Sequence, residues 1–261
     1  MFTRQKRLQD FGETGRRLIL EVRKMSTEAA VELRPNPGRE LVREVEGQAF
    51  NRYPIRTHFV EVGESYLELV EKYVLPHYRH GDILSMGEKV IALCQGQVRY
   101  KDQVKISLLA RVLSRFAMKN PQGPAMDNVY KMQTAIDLCG WWRVLFAAVA
   151  SAIGKLFGKH GIFYNMLGNN VRNIDGFCVV GWEYYADKGI LAPAEPEKVC
   201  QEIKDKYGID CMIVDANDVD VEILGTNQEI PCQKSFLAQL IRDNPAGQSR
   251  EQTPFILIRK I

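Results

Sequence analysis

Residues 212–224, "MIVDANDVDVEIL", place Asp215, Asn217, Asp218 and Asp220 between two apolar runs. Aspartate, asparagine and carbonyl oxygens are hard donors, suited to Mg²⁺ or Mn²⁺ and not to zinc. An unpaired carboxylate is costly to bury, so the cluster must face water, local turn bonds or a cation. A helix-loop-helix calcium loop is excluded. Val219 occupies its third ligand position, where an oxygen donor is required. A turn closed by Asx bonds and a hard-cation site completed by distant residues both remain open on these residues alone.

Two other segments carry groups that could join such a site. "LGNNVRNIDGF" presents Asp175 at the end of a strand-like stretch expected to begin beyond Gly161, and "GWEYY" offers Glu183 as an alternative carboxylate. Carboxylates on neighbouring strand ends can share a divalent ion that offsets their repulsion. The loop "DNPAGQSREQTP" gathers Asp243, Asn244, Gln248, Glu251 and Gln252 before the last strand. Long polar loops in that position often bind ligands, so these five are the candidate substrate contacts.

Other chemistries find no support. G-x-S-x-G, G-x-x-x-x-G-K-[ST] and G-x-G-x-x-G are all absent, so a serine hydrolase, a P-loop enzyme and a dinucleotide fingerprint are unsupported. The four histidines suggest no site; His77 and His80 in "HYRH" read as a surface turn. No residue stands out as a general base.

The elements that must position these groups follow from the chain as a whole. Its 261 residues, 46% hydrophobic and 26% charged, suit one large domain or two modest ones with a real core. A net charge of +3 does not predict a nucleic-acid partner. The six cysteines are widely spaced and mostly in apolar runs, as expected of free thiols in a reducing compartment. With no secretory signal in the N-terminal residues, a cytoplasmic location is expected.

Residues 1–50 read as a charged N-terminal extension, and residues 51–261 as the main domain. "YPIRTHFVEV" alternates like a strand, and Leu67, Val70 and Val74 mark a helix stopped by Pro76. "GDILSMGEKVIALCQGQVRY" reads as two strand-like runs around Gly87. Residues 106–156 look mostly helical. Val199, Ile203 and Tyr207 mark a helix capped by Gly208, followed by strands at 211–214 and 221–224, a helix near 235–242 and a closing strand, "FILIRKI". The apolar stretch "WWRVLFAAVASAIGKLFG" is too short between charges to span a bilayer. A buried or partly amphipathic helix is expected there, with a membrane-surface helix as the lesser alternative. Membrane association is not expected.

In this order of segments the chain resembles the coenzyme F(420)-0:L-glutamate ligase family over roughly residues 53–261. "GDILSMGEKVIALCQGQV" is similar to the family's G-D-[apolar]-…-K-[VI]-…-E-G-R segment. "GNNVRNIDG" is similar to G-N-[apolar]-…-G-[IV]-D, and "ILAPAEPEKVCQEIKDKYGIDCMIVDAND" to L-L-P-x-x-P, helix, strand, D-[TS]-N. "EQTPFILIR" is similar to the closing G-x-P-[apolar]-[VI]-[VI]-R strand. The resemblance implies an α+β fold with a mixed sheet and helices, here with a helical insertion in mid-chain. It also implies a GTP-dependent, Mg²⁺- or Mn²⁺-dependent ligase that forms a γ-glutamyl-type amide on a small-molecule substrate, and a homodimer.

Carried over, Asp175 and Asp215 match the metal-ligand aspartates, with Asn217 in the same loop and Glu183 as a further candidate. Lys89 is the main retained cation for nucleotide phosphate. The chain departs from the family at Ala216, where a hydroxyl is usual, at Gln95 and Gln97, and at Asp218 and Asp220 where basic residues are usual. Fewer cations to hold a triphosphate make a non-catalytic metabolite-binding or interaction protein the alternative.

Overall fold

A computed structural model of the protein describes residues 33–117, 126–177, 183–218, 220–247 and 251–261. The protein is α+β. Its chain divides into two compact units, Met1–Gln95 with Pro193–Ile261, and Gly96–Ala192.

The first unit is built on a six-stranded mixed sheet. In chain order its strands are β1 (Val42–Val45), β2 (Gln48–Ile55), β3 (Ile83–Gly87), β7 (Asp210–Ala216), β8 (Val221–Thr226) and β9 (Phe255–Lys260). Across the sheet the order is β1-β2-β9-β3-β7-β8. Only β3 and β7 are parallel neighbours; the other pairs are antiparallel. The central strands are apolar at successive positions because both faces are covered. Leu84, Met86, Cys211, Ile213, Phe255 and Leu257 face one core with Val199, Ile203 and Tyr207. Ile83, Met212, Val214, Ile256 and Ile258 face a second core with Leu237, Leu240 and Ile241.

Four helices supply those covers: α1 (Tyr66–Leu69, continued as a π turn over Val70–Val74), α2 (Glu88–Cys94), α8 (Pro196–Tyr207) and α9 (Lys234–Ile241). The helix expected before Pro76 and the Gly208 cap, which has φ +73°, are both present. Two expectations change. The run after Gly87 is helix and not strand, because a short apolar run such as Val90–Cys94 fits either state and Ile91 packs from α2 onto the sheet core. The strand expected over residues 53–62 is instead β2, which starts earlier and leaves the sheet after Ile55. The described residues before 51 are part of this unit: β1 and the start of β2 lie in the sheet.

The second unit is mainly helical, as expected for mid-chain: α3 (Leu108–Phe116), α4 (Val129–Cys139), α5 (Trp141–Leu156), α6 (Ile162–Leu167) and α7 (Asn169–Arg172). A small sheet joins them, in the order β4-β6-β5, from β4 (Val98–Tyr100), β5 (Asp175–Gly176) and β6 (Lys188–Ile190). Local chemistry sets the helix starts. Ser107 accepts from the Ala110 N–H, and Asn128 accepts from the N–H groups of Tyr130 and Lys131. The stretch before Asp175, expected to be strand, is α6 and α7. Only Asp175 and Gly176 themselves pair, with Ile190 and Gly189.

The helix expected over residues 141–158 is α5, but it is not a buried helix. Its small face, Val144, Ala147 and Gly154, points inward, while most of its large side chains are exposed. Among the described residues no single helix is long and apolar enough to cross a membrane.

Candidate functional site

The directions of the strands in the first unit decide which polar groups meet. Strands β2, β3 and β7 run one way, so their carboxyl ends at Ile55, Gly87 and Ala216 share one end of the sheet with the starts of β8 and β9. Ligands of open α/β sheets usually bind outside such carboxyl ends. Because Gly87 is in parallel register with Val214, the residues that follow, Glu88 and Lys89 on one chain segment and Asp215 on the other, emerge side by side. The Gly87 N–H donates to the Pro254 carbonyl at 2.8 Å, which draws the loop before β9 to the same end. Lys89 is exposed there, while Glu88 is buried in the first turn of α2.

The acidic cluster separates into two parts. Asp215 stands directly opposite Glu222 across the β7–β8 hairpin, and both are half-buried. Cross-strand partners have Cβ atoms about 5 Å apart, and like charges there repel, so this pair is a place where a divalent cation gains from two carboxylates at once. Asn217 closes the turn. Its N–H donates to the Asp220 carbonyl at 3.0 Å, and its Oδ1 accepts from the Asp220 N–H at 2.9 Å. Asp218 turns to Arg39, whose guanidinium donates to it at 2.7 Å, and it also accepts from Asn244 Nδ2. The local turn and the opposed Asp215–Glu222 pair are thus different residues of one hairpin.

The polar loop before β9 is tied into the same end. Asp243 accepts from Arg52 through both carboxylate oxygens. Burial opposes its charge, but the hydrogen bonds and charge of Arg52, with the charge of Arg43, hold its carboxyl below the usual range. Asn244 and Gln252 both adopt positive φ, +49° and +55°. The Gln252 carbonyl accepts from the Thr57 N–H at 3.0 Å, and Glu251 folds back over Gly247. Asp243 and Asn244 therefore serve first as ties of the loop. Gln248 lies outside the described residues.

Asp175 and Glu183 belong to the second unit, and Asp215 and Asn217 to the first. Asp175 is half-buried, with its Oδ1 accepting from the Gly176 N–H at 2.8 Å; Glu183 is exposed in a short 3₁₀ turn. Among the described residues no three His, Cys, Asp or Glu side chains gather as a metal-binding group. Mg²⁺ bound with a substrate phosphate needs only one or two protein carboxylates, the rest being water and phosphate oxygen. Asp215 and Glu222 fit that mode.

Four residues escaped the sequence reading. Arg39 falls in the expected charged extension and Arg52 at the start of the expected main domain, yet they anchor the acidic and polar loops. Glu222 gave no signal except its place in a hairpin whose register the sequence does not state. His58, just past β2, holds its ring between Tyr73 Oη and Glu64 Oε2, each at 2.7 Å. An imidazole fixed at both nitrogens is oriented as a proton-transfer group would be. Compared with models of known protein families and with curated protein sequences, the chain matches none.

Proposed function

We propose that the carboxyl end of the six-stranded sheet binds a phosphate-bearing small molecule with a divalent cation, and that the protein is a ligase-like enzyme on this scaffold. The observation that supports the reading is the parallel pairing of Gly87 with Val214, from which the segments carrying Lys89 and Asp215 continue at the same end of two neighbouring strands. Lys89 would neutralise phosphate charge, and Asp215 and Glu222 would hold Mg²⁺ or Mn²⁺. The metal supplies charge neutralisation at the phosphate. The activity in keeping with the resemblance is transfer of the γ-phosphoryl group of a nucleoside triphosphate, GTP in the family, to a carboxylate with release of the diphosphate; an amine then attacks the acyl phosphate, forming the amide and releasing inorganic phosphate. The loop of residues 251–254 would border the acceptor. The resemblance also carries to this chain the family's coenzyme F(420)-0 ligase-like fold, the homodimer and the cytoplasmic location as parts of the proposal.

A second reading, a non-catalytic binding protein, is favoured by a specific observation: Asp218, Asp243 and Asn244 are engaged by Arg39, Arg52 and each other. Thermal unfolding of metal-stripped protein with Mn²⁺ or Mg²⁺, alone and then with GTP or ATP, tests the first. Saturation at about 100 times the dissociation constant stabilises by about 2.7 kcal/mol. No stabilisation by metal or nucleotide would remove the enzyme reading. Stabilisation with no nucleotide turnover in the presence of amines and carboxylates would favour the second.

A further inference from the structure

Helix α5 inverts the usual amphipathic pattern, in which large apolar side chains face the core. Its inward residues are small. At Gly154 an added Cβ would fall 2.1 Å from Ile162 Cδ1, so α6 rests directly on the helix backbone. Its large residues look outward: Trp141 is 63% exposed, Phe146 62% and Leu156 84%. At 3.6 residues per turn, Trp141, Trp142, Leu145, Phe146, Val149, Ile153 and Leu156 fill one continuous arc of roughly 140°. Arg143 and Lys155 fall just outside its two edges. Helix α3 repeats the arrangement. Ala110 and Ser114 are buried, while Leu108 (78% exposed), Val112 and Phe116 (80%) form an exposed i, i+4, i+8 stripe alongside Arg111 and Arg115. Exposed apolar surface on this scale marks an interaction surface.

Charge identifies the partner. From residue 138 to residue 174 the chain has no Asp or Glu, but it carries Arg143, Lys155, Lys159 and Arg172; residues 103–117 likewise have no acid, with Lys105, Arg111 and Arg115. Two copies of such a face, related by a two-fold axis, would set like charges against each other. An anionic lipid surface instead complements the basic rim while its acyl boundary accepts the apolar arc. Tryptophans favour that boundary. The 16 residues of α5 extend about 24 Å, and its junction with α4 bends by 118°, which suits a helix lying in the surface and not a rod crossing it.

We infer that the exposed faces of α5 and α3 dock this protein on anionic membrane surfaces. The test is co-sedimentation of the full chain with vesicles of phosphatidylcholine alone and of phosphatidylcholine with roughly one-third phosphatidylserine. The expected result is binding at least about tenfold tighter to the anionic vesicles, weakened by salt, with a blue shift of tryptophan emission. The double variant Phe146→Glu, Ile153→Glu should abolish binding with an unchanged unfolding midpoint, since both side chains are exposed. Arg143→Gln with Lys155→Gln should reduce the preference for anionic lipid. Absence of binding at low ionic strength would overturn the inference, as would binding that ignores the double variant. Dissociation of a dimer by that variant, with no vesicle binding in the parent, would assign the face to a second copy and equally overturn it.

Discussion

Arg52, fully buried on β2, grips both carboxylate oxygens of Asp243, 191 residues later in the chain. The same guanidinium donates to the carbonyls of Glu40 and Leu240. One side chain therefore ties the approach to β1, the end of α9 and the loop before β9. Asp243→Ala leaves a buried charge without its counter-ion and should cost about 3 kcal/mol or more in urea unfolding. Arg39→Ala, which breaks the more exposed pair with Asp218, should cost under about 1 kcal/mol. Equal effects of the two substitutions would refute this division of roles.

The same pair makes stability depend on pH in a defined direction. The Asp243 carboxyl is held below its ordinary value of 3.8 in the folded protein. Above that value both states are ionised and the stabilisation is complete. As pH falls through the ordinary value, the unfolded chain takes up the proton first, and the contribution is lost by the time the folded carboxyl is protonated. Asp243→Asn should flatten the acid limb of a stability-against-pH curve below about pH 4. An acid limb identical to that of the parent would show that other carboxylates set it.

Asp215 and Glu222, opposed on β7 and β8, should act together toward a cation. The thermal shift produced by Mn²⁺ should disappear in Asp215→Ala and fall strongly in Glu222→Gln. A stabilisation of about 2.7 kcal/mol corresponds to a rise of several degrees for a chain of this size. Lys89→Ala should leave the metal shift in place and remove any further shift from GTP or ATP. A metal shift that survives Asp215→Ala would place the ion elsewhere.

Gly225 lies on β8 beneath the start of α8. A Cβ there would come within 2.7 Å of both the Glu197 nitrogen and the Pro196 carbonyl carbon. Backbone atoms cannot rotate away as a side chain can, so Gly225→Ala should destabilise by about 2 kcal/mol. A urea midpoint unchanged by the substitution would mean that α8 can lift from the sheet without loss.

The Cys94 thiol, at the end of α2, is pushed up to about 12, by burial first and then by the charge of Glu64. The thiolate is the reactive form, so iodoacetamide near pH 8 should modify Cys94 at least about tenfold more slowly in the folded than in the unfolded chain. Mass spectrometry of the labelled peptides reads this directly, and equal rates would contradict the half-buried placement of the thiol.

Much of the architecture was legible because local physics specifies it. The spacing of Val199, Ile203 and Tyr207 before Gly208 requires a helix with one apolar face and a left-handed cap, and α8 is that helix. The alternation of two-faced burial in "FILIRKI" and "CMIV" reads as central strands, which they are. The short run after Gly87 is ambiguous because Val90–Cys94 carries no period long enough to separate helix from strand. The stretch before Asp175 misled for a similar reason.

The candidate site was legible only in part. The sequence by itself determined that Asp215 follows an apolar strand, that Lys89 follows another, and that acidic residues are missing from the stretch that carries Trp141 and Trp142. Tertiary structure alone decided that β3 and β7 are parallel neighbours, that Glu222 faces Asp215, that Arg39 and Arg52 reach loops some 180 to 190 residues away, and that α5 turns its small face inward. The reason is physical. Helix and turn signals act over a few residues, whereas strand order, register and the choice of which helix face to bury are settled by contacts between segments remote in the chain.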